Sequence, residues 1–340
     1  MSEMATITQV HLRRLMAAAV LCCCGAWLVR AEMHEDDGSK IVPEMIGEGV
    51  LSTPDDEFGA TPSPDGKTIY FDKTVPPHYL YVICESHLVN GEWRKPEVMP
   101  FSGQYRDSDP VLSPDGNTMF FASDRPVNGV EQHRFQIWQV KGTESGWSEP
   151  TLVPGVINSE ASQVFASVAK TGTMYFTSSR KNGQYDIYRA KLVNGTYQQA
   201  ENLGPLVNRQ GVWSLEAWVA PDESYLLIGS FGREGGYGNS DLFVSFFQAG
   251  EWSKPVNLGP EINTAAREYS ARVSADGKWL YYASEIGMPY EKRDKPMTYQ
   301  QFTDGMKSVR NGLGNLYRVP LEPVLAAARA RLAQGNLKSK

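Results

Sequence analysis

The chain has 340 residues, a formal charge of -6, 11% aromatic residues, 31 Gly and 21 Pro. That length buries a sizeable core, and the acidic balance excludes the basic face that a nucleic-acid binder needs. The frequent Gly and Pro suit many short strands joined by tight turns.

Residues 1–31 read as an export signal. His11, Arg13 and Arg14 form a basic start, Leu15 to Leu28 is an apolar stretch short for a bilayer span, and Val29-Arg30-Ala31 offers a cleavage site. The expected destination is the periplasm or the medium by the Sec route, with no membrane span in the mature chain; an uncleaved anchor is the alternative. A lipoprotein reading of Cys22, Cys23 and Cys24 meets Leu21, Cys22 and Cys23 where a lipobox wants Gly or Ala. Acidic, polar residues 32–40 are expected to be a flexible leader. Cys84 is then the sole cysteine, so no internal disulfide can form.

From residue 41 onward one pattern recurs. Ser63-Pro64-Asp65-Gly66, Ser113-Pro114-Asp115-Gly116 and Ser274-Ala275-Asp276-Gly277 each precede a short apolar strand. Ala169-Lys170-Thr171-Gly172 and Ala220-Pro221-Asp222-Glu223 are weaker copies. The starts are 50, 56, 51 and 54 residues apart, the period of a β-propeller with several strands per repeat. A third strand follows with an aromatic slot, occupied by Cys84, Trp138, Tyr188, Phe243 and Tyr317. Beyond it come Trp93, Trp147, Tyr197 and Trp252, and then Gln104, Asn158, Asn208 and Asn263. Pro96, Pro150 and Pro255 mark outer edge strands, where a missing N–H does least harm. The fifth repeat stops after its third strand, and the Pro43-Glu44-Met45 segment matches the outer strand it lacks. The reading is an all-β, five-bladed propeller of four-stranded antiparallel blades over residues 41–321, closed by the N-terminal strand, with six blades as the alternative. Residues 322–340 are expected to form a C-terminal helix and tail.

These motifs, with Asp-Ile-Tyr in the third strand and Asn-Leu-Gly-Pro after the outer one, resemble the TolB-like, or PD40 (WD40-like), β-propeller repeat family. The resemblance implies an exported bacterial propeller that binds proteins or saccharides, and it names no single activity. Repeat 3 lacks Pro and Asp in its turn and repeat 4 carries Glu223 in place of Gly.

The turns occupy one face of such a propeller, and the longer, more varied loops occupy the other, where a site is expected. Six positions before each turn, where the inner strand begins, stand Glu57, Asp107, Gln163, Ser214 and Glu268, with Asp109 and Glu216 two further in. A ring of carboxylates at the channel mouth could serve as an acid/base pair, with Asp107, Asp109, Glu216 and Glu268 as catalytic candidates; bonds to backbone N–H groups are the plain alternative. Arg125, Arg180 and Arg233 follow second strands and could converge on an anionic ligand or bridge blades. Arg272 stands on an inner strand where the other repeats have Thr61, Val111, Ser167 and Trp218. With Trp213 and Tyr269 these arginines complete the ligand-binding candidates. Residues 285–314 form a long insertion, including Tyr290 and Phe302, that reads as a lid or partner arm.

No Gly-x-Ser-x-Gly or His-Glu-x-x-His motif occurs, and His34, His78, His87 and His133 have no metal-ligand spacing. Neither a cofactor nor a metal is expected. The leading expectation is a monomeric, non-catalytic propeller of the cell envelope that binds a protein or a saccharide on its loop-rich face. The alternative is a carbohydrate-active hydrolase or lyase using the channel-mouth carboxylates.

Overall fold

The structure, a computed structural model, describes residues 40–338 apart from 77–78, 182 and 289–290. The export signal 1–31, nearly all of the leader 32–40, and Tyr290 lie outside the described residues. Among the described residues no helix is long and apolar enough to cross a membrane.

Five antiparallel four-stranded blades follow the repeat. Blade 1 is Asp56–Pro62, Thr68–Val75, Leu80–Val89 and Glu97–Val98. Blade 2 is Asp107–Leu112, Thr118–Ser123, Gln136–Thr143 and Thr151–Leu152. Blade 3 is Gln163–Val168, Met174–Lys181, Gln184–Ala190 and Glu201–Asn202. Blade 4 is Trp213–Val219, Tyr225–Phe231, Ser240–Gln248 and Val256–Asn257. Blade 5 takes Glu268–Val273, Trp279–Ser284 and Asn315–Pro320 from the end of the chain and Glu44–Met45 from its beginning. Glu44 pairs with Arg318 and Met45 with Tyr317, so the ring closes by joining the two ends of the sheet region, and its last open edge is removed.

The turns explain the repeat chemically. In blade 2 the Ser113 hydroxyl bonds the Asp115 carboxylate, which accepts the Asn117 N–H at 3.1 Å, while Gly116 takes φ 73°. Glu223 takes the corresponding left-handed place in blade 4 at φ 59°, and its carboxylate accepts from Tyr175 and Thr171 of blade 3.

The repeated Asn is a strand clamp. Asn158, Asn208 and Asn263 each accept a backbone N–H and donate back to the C=O of one residue, Ile137, Ile187 and Leu242 respectively. Gln104, aligned by spacing, does not do this in blade 1; Ser102 accepts the Ile83 N–H at 3.0 Å instead. In blade 5 the partner comes from across the seam, where Ser52 accepts from Leu316 N–H at 3.0 Å and its hydroxyl faces the Ile46 C=O at 3.0 Å and the Leu316 C=O at 3.3 Å.

The core lies between blades, built from the apolar residues of their facing strands. Helix α2, Leu321–Lys338, begins directly after the last strand and buries Leu321, Val324, Leu325 and Ala328 against blades 4 and 5. Arg331 of α2 donates to the Leu258 C=O at 2.9 Å. Cys84 is buried in its aromatic slot, and burial pushes its thiol up to about 12, which leaves it inert at neutral pH.

Candidate functional site at the loop-side mouth of the channel

The five inner strands touch in cyclic order and surround a central channel. Each inner strand except that of blade 4 carries a left-handed residue four places before its turn: Gly59 (φ 69°), Asp109 (59°), Phe165 (53°) and Ser270 (54°). The ladder slips there, and in blade 4 it slips one place earlier, between Ser214 and Glu216. A bulge re-aims the side chain at its own position. Here five successive bulges surround one pocket.

That pocket, of about 300 Å³, is lined by Phe58, Tyr81, Phe135, Phe165, Tyr185, Trp213, Tyr269, Asp109, Glu216 and Arg267, among others. Its wall is a belt of aromatic rings. Tyr269 packs on Phe58 (5.7 Å), Phe58 on Tyr81 (6.1 Å), and Tyr81 on Phe135 (6.2 Å). On the other side Tyr185 meets Trp213 at 6.0 Å, and Trp213 remains 49% exposed. Tyr81, Phe135 and Tyr185 share one position, three residues before the aromatic slot of blades 1, 2 and 3.

The floor is acidic and buried. Asp109 accepts from the Ser108 hydroxyl at 3.1 Å, and its second oxygen has no partner. Its backbone N–H donates to Asp72 at 2.9 Å, and Asp72 also keeps one oxygen without a partner. Glu216 reaches to blade 5, where the Ser270 N–H and hydroxyl donate to it. Two glycines make room for these carboxyls. A Cβ on Gly59 would come within 2.4 Å of Asp72, and one on Gly229 within 2.7 Å of Glu216. Burial pushes the Asp109 carboxyl up to about 7, against the pull of Arg272 and with the help of the Glu216 charge. Burial also raises Asp72, well above the usual range, and Glu216, the latter against Arg267 and Arg272. Arg267 lies over the Tyr269 ring at 4.0 Å and pairs with Glu285 at 3.0 Å.

Of the expected site residues, the structure brings Asp109, Glu216, Trp213 and Tyr269 into this pocket. The other two carboxylates are held elsewhere. Glu268 accepts from the Thr264 N–H (2.8 Å), the Thr264 hydroxyl (2.7 Å) and Ser284 (2.8 Å). Glu57 and Gln163 likewise accept the N–H groups of Thr53 and Ser159, so these three residues pin the loop four residues before them. Asp107 is bound to Arg125 at 2.6 Å.

The three loop arginines are likewise engaged inside the blades and do not converge on the open face. Each donates Nε to a serine at the end of a second strand and Nη2 to a loop carbonyl of the preceding blade. Arg125 uses Ser123 and Phe101, Arg180 uses Ser178 and Ile157, and Arg233 uses Ser230 and Val207. Burial lowers Arg233 to about 10, a measure of how far that guanidinium is removed from water. Arg272 lies at the turn-side end of the channel and does not line the loop-side pocket.

The 285–314 insertion carries helix α1, Tyr299–Met306, capped by Thr298 and Gln301. It is fastened to the start of blade 1 by Asn311 donating to the Pro54 C=O (2.8 Å) and by the Gly314 N–H donating to Asp56 (3.0 Å). Tyr299, Phe302 and Met306 remain exposed on it. Among the described residues no group of three or more His, Cys, Asp and Glu side chains is arranged to hold a metal ion.

No protein-family model matches the sequence, and neither does any curated protein. Solved structures do match in architecture. TolB from Acinetobacter baumannii shares 20% identity over 79% of this chain and 55% of its own, with a TM-score of 0.44, so the chain spans about half the length of that protein. A putative TolB from Agrobacterium tumefaciens gives 15% identity, 79% and 91% coverage and a TM-score of 0.46. An endo-arabinase from Bacteroides thetaiotaomicron gives 13%, 73%, 99% and 0.48. At these values none of the three carries an argument about chemistry, which rests on the site itself.

Proposed function

We propose that this is a binding propeller that takes a saccharide in the aromatic pocket of its loop-rich face. The observation that supports this is the belt of aromatic rings, open to solvent at Trp213, around an acidic floor. Flat aromatic faces suit the C–H faces of a sugar ring, and a few convergent polar groups fix its hydroxyls. A volume of about 300 Å³ admits the end of a glycan and leaves the rest outside. The test is a calorimetric titration with neutral arabino-, xylo-, cello- and chito-oligosaccharides. At least one series binds, and Trp213→Ala weakens it tenfold or more. Absence of binding throughout the panel contradicts the reading.

A second reading is favoured by one observation: Asp109 and Glu216 line the same pocket, and burial raises both carboxyls. A carboxyl that stays protonated near neutral pH can act as a general acid, and a neighbouring carboxylate as a base or nucleophile, the two roles that glycoside hydrolysis uses. Release of reducing ends from the bound oligosaccharide, abolished in both Asp109→Asn and Glu216→Gln while binding persists, would establish hydrolysis in place of binding alone.

A further inference from the structure

Among the described residues three charged side chains line the aromatic pocket, Asp109, Glu216 and Arg267. A molecule entering it does not meet them equally. Asp109 and Glu216 are each 3% exposed, and burial biases both carboxyls toward the neutral form. The Arg267 side chain keeps 21% of its surface exposed. The charge presented to the pocket is therefore positive, although the chain as a whole is acidic.

The Arg267 guanidinium is fixed in advance. It lies over the Tyr269 ring at 4.0 Å and the Phe231 ring at 5.4 Å. Its Nη1 donates to the Glu285 carboxylate at 3.0 Å, and the Glu285 N–H donates back to the Arg267 C=O at 3.0 Å. Glu285 itself does not line the pocket. Nε is buried, Nη1 is taken, and Nη2 has no partner among the described residues, so Nη2 is the nitrogen left for a ligand.

A second guanidinium stands at the other end of the same run of rings. Arg106 lies over Phe135 at 5.0 Å and is tied to Asp124 through Nε at 2.7 Å. Burial, then Asp109 and Asp72, push the Tyr81 phenol between them up to about 12, and both arginines oppose that push. The belt from Tyr269 through Phe58 and Tyr81 to Phe135 thus carries a fixed cation at each end. A guanidinium pinned by a ring and one carboxylate has little rotamer freedom left to lose when it binds a further group. A carboxylate accepts a charge-assisted bond from it, about twice as strong as the bond that a neutral hydroxyl accepts in an uncharged pair.

We propose that Arg267 is the specificity-determining residue of the pocket, and that the saccharide it selects carries a carboxylate, as a uronic acid does. The proposal rests on the saccharide reading above and adds the charge of the ligand to it.

The test compares oligosaccharides that differ in charge, by calorimetric titration. Cellotetraose and chitotetraose are each set against the same sugar oxidised to a uronate at its terminal C6, and xylotriose against xylotriose bearing one glucuronosyl group. In the wild type the acidic member of at least one pair binds tenfold or more tighter than the neutral one. In Arg267→Gln that ratio falls to about one. Glu285→Gln leaves an oxygen for Nη1 and removes the competing charge, so the ratio rises about threefold; this variant keeps the proposal falsifiable if the Arg267 variant does not fold. If no acidic member outbinds its neutral counterpart, the proposal is overturned, while the saccharide reading stands or falls on the neutral members alone. A ratio that survives Arg267→Gln, or that falls in Glu285→Gln, also overturns it.

Discussion

The carboxylate of Glu268 in blade 5 occupies the place that the amide of Gln163 occupies in blade 3. Gln163 accepts the Ser159 N–H at 3.0 Å and donates to Ser159 and Ser178; Glu268 accepts from Thr264 and Ser284 in the same geometry. An amide therefore already does this work in the fold. Glu268→Gln should change stability by less than about 1 kcal/mol, whereas Glu268→Ala, which strands the part-buried Thr264 N–H and the buried Ser284 hydroxyl, should cost about 1–3 kcal/mol. Urea denaturation of the two variants checks this, and a Gln variant as unstable as the Ala variant counts against it.

The Asn clamps and their seam counterpart make a parallel case. Asn208→Ala leaves the Ile187 N–H without its acceptor and Ser52→Ala does the same to the Leu316 N–H, while the two carbonyls keep the Leu203 and Ile46 N–H groups. Each should cost about 1–3 kcal/mol. Hydrogen exchange should distinguish them: Ser52→Ala releases protection at the closing pair Met45 and Tyr317 first, and Asn208→Ala releases it in blade 3.

The pH dependence of stability has two limbs of opposite sign. Asp65, Asp115, Asp222 and Asp276 are held below the usual carboxylate range by serine hydroxyls in their turns. A lowered carboxylate contributes stability above its unfolded value and loses it as pH falls through the folded one, so stability declines below about pH 4. Asp109, Asp72 and Glu216 are raised by burial. The native state then holds more protons than the unfolded one, and stability falls as pH rises from about 4 through about 7. The thermal midpoint should be highest near pH 4, and Asp109→Asn should flatten the descent from there through about pH 7. A midpoint that climbs from pH 5 to 8 contradicts this.

The fold was legible because the repeat fixes turn, strand and slot at once, down to Glu44–Met45 completing blade 5. The floor of the pocket was half legible. Asp109 and Glu216 stand out by position, but Asp72 needed alignment of the second strands, where the other blades have Ala122, Thr177, Gly229 and Ala283. The aromatic wall also carried a signal, in the common position of Tyr81, Phe135 and Tyr185. The ring of first residues and the loop arginines misled, because spacing shows where a side chain starts and not what it bonds. Arg125 and Asp107 stand 18 residues apart in the chain and bond each other at 2.6 Å. The left-handed bulge at Asp109 has no marker in the sequence, since Gly, Asp, Phe and Ser share that conformation.

The placement of the site is tested most directly by measuring one saccharide's affinity, for the best ligand of the panel, in wild type, Trp213→Ala, Glu268→Gln and Asp115→Ala. Affinity should fall tenfold or more in Trp213→Ala and stay within about twofold of wild type in the other two, because Glu268 pins a loop and Asp115 holds a turn on the far face. Binding lost in folded Asp115→Ala and retained in Trp213→Ala would place the ligand on the turn face and contradict the account.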